Sequence, residues 1–127
     1  MLYVKRVYEA SKANDGARYL VERFWPRGTK KENLKMNSWL KEVAPSNELR
    51  RWFGHDPEKW NEFQRRYRAE LDANPNAWKP LLESMKQGNV TLLYSARDTE
   101  HNNAVVLKSY LEERIVGGGE KNFIRIV

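Results

Sequence analysis

The feature that most constrains this chain is the run "VTLLY", Val90 to Tyr94, with the polar loop "SARDTEHNN" after it and then "AVVLKSYLEERI". Five residues with little apolar–polar alternation read as a strand covered on both faces. The pattern after the loop changes period, placing Ala104, Leu107, Leu111 and Ile115 at helical spacing. Between strand and helix stand an arginine, two acids, a histidine and two asparagines, with no glycine. A loop so rich in hydrogen-bonding side chains is either a binding site or an elaborate helix cap.

The rest of the chain supplies partners for such a strand. "LYVKRVY" (Leu2 to Tyr8) and "ARYLVERFW" (Ala17 to Trp25) read as strands, the second stopped by Pro26 and Gly28. Between them the seven-residue turn "ASKANDG" suits an antiparallel hairpin, with a parallel arrangement as the alternative. Leu34, Met36, Trp39, Leu40 and Val43 read as the apolar face of a helix ended by Ala44-Pro45. Ser46 is an N-cap for "NELRRWF", which Gly54 is placed to end, and Asp56-Pro57 opens the strongest helix. In that helix Trp60, Phe63, Tyr67 and Leu71 form one stripe, with Arg65, Arg66 and Arg68 largely opposite. A further helix carries Trp78, Leu81, Leu82 and Met85 to Gly88. After the final helix, Gly117 to Gly119 form a stop and "NFIRIV" reads as a last strand. The order ββαααα-βαβ predicts a single small α/β domain over residues 1–127, with helices packed on a short, mainly parallel sheet.

Bulk properties narrow the function classes. Although 31% of the residues are charged, 5 Trp, 6 Tyr and 4 Phe recur within periodic segments, which argues against disorder. The net charge of +6 favours anionic partners, but 17 acids are mixed among 23 bases and no like-charge block marks a nucleic-acid-binding tail. The absence of cysteine excludes disulfides and thiolate chemistry. Lys5 and Arg6 interrupt the first apolar stretch, so it does not read as a signal peptide, and no run approaches a membrane span. The expected location is the cytoplasm.

In open α/β sheets, ligands bind beyond the carboxyl ends of the strands. Two segments qualify here. One is "ERFWPRG", with Arg23, Trp25 and Arg27; the other is the polar loop, with Arg97, Asp98, His101, Asn102 and Asn103. Arginine binds phosphate or carboxylate with a planar fork, and a helix N-terminus adds partial positive charge. The functional reading is an anion or nucleotide pocket, with His101 as acid–base group and Asp98 orienting it or Arg97. The competing reading is an Arg–Asp pair locking two loops, with Asp98 or Thr99 capping the helix. His55, Asp56, Asp98 and His101 are suitable metal ligands, but no two have a recognised spacing, so no metal is assigned and no cofactor is identified. Ser95 lacks the glycines of a nucleophile elbow. Trp39, Trp60 and Trp78 read as core, Trp52 beside Arg50 and Arg51 as a stacking surface, and Trp25 as a pocket wall or a core lid.

The strings "DGARYLVERFWPRG", "WLKEVAPSNELRRWFGHDPEKWNEFQRRYRAEL" and "TLLYSARDTEHNNAVVL" resemble the YeaO-like family of small uncharacterised bacterial and archaeal proteins. The resemblance covers about Asp15 to Leu111 and implies a small α/β domain of unknown biochemical function. It also implies that "RFWPRG" and the polar loop share one pocket. The family's pattern commonly carries a second histidine where this chain has Asn103, so histidine-pair chemistry is not expected here. Broader relatives use cysteine near this loop, which this chain does not have.

Three functions remain open from the sequence. The first is an enzyme or sensor acting on a phosphorylated, nucleotide-like or otherwise anionic small molecule. The others are a nucleic-acid-binding module and a non-catalytic interaction protein.

Overall fold

The central position of Val90 to Tyr94 is explained by what flanks it. In the computed structural model, which describes residues 1–118, β4 (Val90–Tyr94) pairs in parallel with β1 (Leu2–Arg6) on one side and β2 (Ala17–Leu20) on the other. β3 (Ser38–Trp39) adds to the far edge of β2, giving the all-parallel order β1-β4-β2-β3. The helices are α1 (Asn47–Phe53), α2 (Trp60–Ala73), α3 (Pro75–Gln87) and α4 (Asn103–Gly118). The result is a single small α/β domain. All five residues of β4 are buried because Val90, Leu92 and Tyr94 join the main core while Leu93 joins a second cluster. Opposite directions for successive side chains follow from the strand period of two.

The hairpin expected between the first two strands does not form. Both run parallel to β4, which separates them, because an apolar central strand needs a hydrogen-bonded neighbour on each side.

The helix expected over Leu34 to Val43 is also absent. Short 3-10 turns at Lys31–Asn33 and Lys41–Val43 flank β3 instead. Its apolar residues serve two cores: Leu34, Met36 and Trp39 pack in the second cluster, whereas Leu40 and Val43 join the main one. One helical stripe cannot face both sides of a sheet. The edge of β2 also offers unpaired backbone groups, and Asn37 and Leu40 donate to the carbonyls of Arg18 and Leu20 at 2.6 and 2.8 Å.

The helical caps are as expected for α1: the Leu49 amide donates to Ser46 Oγ at 3.1 Å, and Gly54 ends the helix in the left-handed region. Asp56 accepts from the Glu58 amide and starts a 3-10 turn, Pro57–Lys59, that leads into α2. α2 buries Phe63, Tyr67 and Leu71, each contributing roughly 1.5–3 kcal/mol of transfer free energy. It also braces the preceding loop. The Tyr67 hydroxyl donates to the Val43 carbonyl at 2.6 Å, and Glu70 accepts from both the amide and the hydroxyl of Ser46. Burial pushes the Tyr67 phenol far above its ordinary range, so it remains a neutral donor. α4 runs to Gly118; the last glycine of the stop, Gly119, and the strand expected at 122–127 lie outside the described residues. Among the described residues, no helix is long and apolar enough to cross a membrane.

Candidate functional site

Parallel strands with their carboxyl ends on one edge leave a depression there. In this chain it is a cleft of about 1250 Å³. The ends of β1, β2 and β4 contribute Arg6, Glu22 and Ser95 to its lining, and "RFWPRG" and the polar loop both reach it. Arg23, Trp25, Arg27, Arg97, Asp98, His101 and Asn102 therefore all border one space.

Two hydrogen bonds join the loop to the end of β2. Ser95 Oγ donates to the Glu22 carboxylate, and Asn103 Nδ2 donates to the Val21 carbonyl at 2.7 Å. Asn103 is thus a brace between α4 and the sheet. Arg6 secures the start of the loop through the Ala96 and Ser95 carbonyls, at 2.9 and 3.3 Å.

The cap assignment changes. Asn102, not Asp98 or Thr99, caps α4: its Oδ1 accepts from the Val105 amide at 3.1 Å and its Nδ2 donates to the Asp98 carbonyl at 3.0 Å. Asp98 instead closes the turn before it, accepting from the amides of Glu100 and His101, both at 2.9 Å. An asparagine that both caps the helix and holds the turn is favoured at this point because it supplies a donor and an acceptor. Asn102→Ala is expected to cost about 1–2 kcal/mol in urea denaturation. A loss below about 0.5 kcal/mol would show the cap to be dispensable.

The second oxygen of Asp98 meets His101 Nδ1 at 2.8 Å, and the His101 ring sits edge-on to Trp60 at 5.1 Å between centroids. The two amides and the imidazole hold the Asp98 carboxyl below its usual range. Among the described residues no arginine pairs with Asp98, so the expected Arg–Asp lock is not formed there. Arg23 donates to the Pro45 and Ala44 carbonyls at 3.1 and 3.2 Å, fixing the loop that α2 braces. Trp25 packs edge-on to Trp39 at 5.3 Å, and its Nε1 donates to the Thr29 carbonyl, so it is at once cleft wall and lid of the second core.

Several lining residues were not assigned to this pocket from sequence. Arg6 stands at the end of β1, where a parallel sheet would have pointed to it. Arg50 and Arg51 arrive from α1, and His55 follows Gly54 with φ of 59°. Glu22 is the least visible of them, a single acid beside the arginine-rich segment. In all, six arginines and both histidines of the chain face the cleft against two carboxylates, Glu22 and Asp98. Arg27, Arg51 and Arg97 are exposed and make no ion pair among the described residues. No three His, Cys, Asp or Glu side chains gather as a metal-binding group among the described residues.

Burial pushes the Glu22 carboxyl above its usual range, against the pull of the Ser95 hydrogen bonds and of His55 and Arg50. An acid with a raised folded-state pKa keeps its proton after the unfolded chain has lost it. Stability therefore falls as pH rises through the window between the two values. Glu22→Gln removes that titration, so the variant is expected to gain stability relative to the parent as pH rises from about 4. Urea midpoints measured across this range test the point. A difference that does not change with pH rejects Glu22 as the source.

The fold and site define a small parallel α/β domain with an arginine-lined cleft on the carboxyl edge of its sheet. The chain belongs to the family described as "Inactive DUF488-N3 subclade", whose model matches residues 1–122. It is 43% identical to the uncharacterized protein YeaO of Escherichia coli K12 over 107 residues, 84% of this chain and 93% of that protein. It is 40% identical over 111 residues to the uncharacterized proteins Mb3100c of Mycobacterium bovis and Rv3073c of Mycobacterium tuberculosis, covering 87% of this chain and 93% of each. No solved structure matches the chain.

Proposed function

We propose that the cleft binds a phosphorylated or otherwise anionic small molecule. The observation that carries this reading is the charge imbalance of its lining: six guanidinium groups against two carboxylates. Like charges gathered in a concave, partly desolvated space raise its potential and concentrate anions there. Arg6 and Arg23 are tied to backbone carbonyls and Arg50 to Asn47, so they serve as a rigid base. Arg27, Arg51 and Arg97 are the groups left to grip a ligand. Their forks suit the oxygens of a phosphate.

The reading favours binding over turnover, in line with the description of the family as inactive. An enzymatic reading rests on one contact, His101 to Asp98, which is the arrangement of an oriented acid–base imidazole. A nucleic-acid module is less well supported. The arginines of α2 are engaged by acids, Arg65 and Arg66 by Glu62 and Arg68 by Glu113. Isothermal titration with phosphate and pyrophosphate at low salt tests the proposal. Binding that weakens as salt rises is the expected result, because Coulombic attraction in an open cleft is screened. The absence of heat with either anion overturns it.

A further inference from the structure

Resting on this anion-binding reading, we propose that the occupant of the cleft is a nucleotide, its phosphate on the arginines and its base stacked on Phe24.

Among the described residues only four large apolar side chains are exposed, and the two aromatic ones, Tyr8 and Phe24, both line this cleft. Phe24 is 53% exposed. Leaving an aromatic ring in water forgoes one of the largest burial gains available to a side chain. Both rings are held from one side by a cleft arginine: Arg50 lies 4.7 Å from the Phe24 centroid, and Arg6 lies 4.9 Å from that of Tyr8. A cation against one ring face fixes the ring and leaves the remainder open. That arrangement is a stacking platform. Inorganic phosphate or a sugar phosphate would satisfy the arginines and leave the platform wet, whereas a nucleobase has a planar π-face to cover it.

A second observation is independent of the first. Three donors already occupy Asp98, so Glu22 is the carboxylate left to accept from a ligand. A carboxylate on the wall repels a bare anion. An occupant that carries hydroxyl, amino or imino donors together with phosphate suits both groups, and a nucleotide has all of these. The cleft, at about 1250 Å³, is also far larger than an inorganic anion fills. A free nucleotide is favoured over a strand because the basic side chains of α2 are engaged by acids of the protein itself, Arg65 and Arg66 by Glu62 and Arg68 by Glu113.

The test is isothermal titration of the full chain at one low salt concentration. Titrants are AMP, GMP, CMP and UMP, with ribose 5-phosphate, inorganic phosphate and a ten-residue oligothymidylate as comparisons. At least one nucleotide is expected to bind roughly 5- to 100-fold more tightly than ribose 5-phosphate, the range a stacked base supplies. Phe24→Ala is expected to erase that preference at unchanged melting temperature, and Phe24→Trp to retain it. Equal binding of nucleotides and ribose 5-phosphate overturns the base-stacking inference and leaves the anion reading standing. No binding of any phosphate overturns both. A nucleotide preference that survives Phe24→Ala, or tighter binding of the oligothymidylate than of every nucleotide, also overturns the inference.

Discussion

Replacing Arg27, Arg51 and Arg97 together with alanine is expected to weaken pyrophosphate binding by a hundredfold or more, at nearly unchanged stability. Each of these side chains is exposed and makes no ion pair among the described residues, so its removal breaks nothing inside the protein. Surface changes of that kind usually stay within about 0.5 kcal/mol. A charge-assisted hydrogen bond contributes about 1.5–3 kcal/mol, and in an open cleft the lower end applies, which is roughly tenfold per arginine. The comparison variant is Arg65→Ala with Arg66→Ala, which removes two arginines from α2 outside the cleft. Titration of both proteins separates a localised site from diffuse attraction. Similar losses in the two would sink the cleft assignment, as would unchanged affinity in the triple variant.

Gly16→Ala is expected to be more damaging than the same change at Gly28, Gly54 or Gly88. Gly16 has φ of 67°, and a Cβ there would stand 2.0 Å from the Asn89 carbonyl oxygen and 2.5 Å from its carbon. Both atoms are backbone, and the same oxygen accepts from the Ala17 amide at 2.9 Å. The chain must shift exactly where β2 begins pairing with β4 at Val90. With ψ of −141°, this backbone lies in a positive-φ region that costs alanine about 1–3 kcal/mol, and displacing backbone raises the total to about 3 kcal/mol or more. Gly54→Ala is the control. Its φ is 53°, but the nearest atom to an added Cβ is 3.6 Å away, so only the conformational cost applies. Equal losses for the two variants in urea denaturation would show that the close approach to Asn89 is tolerated.

Local signals were reliable where one residue's chemistry decides the outcome. Ser46, Gly54 and Asp56 act at the helix and turn boundaries their side chains or backbone freedom favour. The unalternating Val90–Tyr94 run was a sound guide because burial on both faces leaves a direct mark on composition. That two segments border one cleft was legible for a related reason: arginine-bearing segments after two apparent strands converge if those strands are parallel. The cap at Asn102 was missed because Asp98, Thr99, Asn102 and Asn103 are all competent caps, and which one stands first depends on where the turn ends. Glu22 was missed because one acid among many has no periodicity to mark it.

The sequence by itself determined that this is a small α/β domain, that Val90–Tyr94 is doubly covered, and that charged and hydrogen-bonding side chains concentrate after two of its strands. These follow from burial, turn propensity and helical period, all of them local. Only the tertiary structure decided that β4 separates β1 from β2, that Leu34 to Val43 crosses from one core to the other, and that Arg6, Glu22, Arg50 and Arg51 join the cleft. Each of these depends on which sheet edge a distant segment finds, and that is settled by hydrogen bonding and packing between residues tens of positions apart.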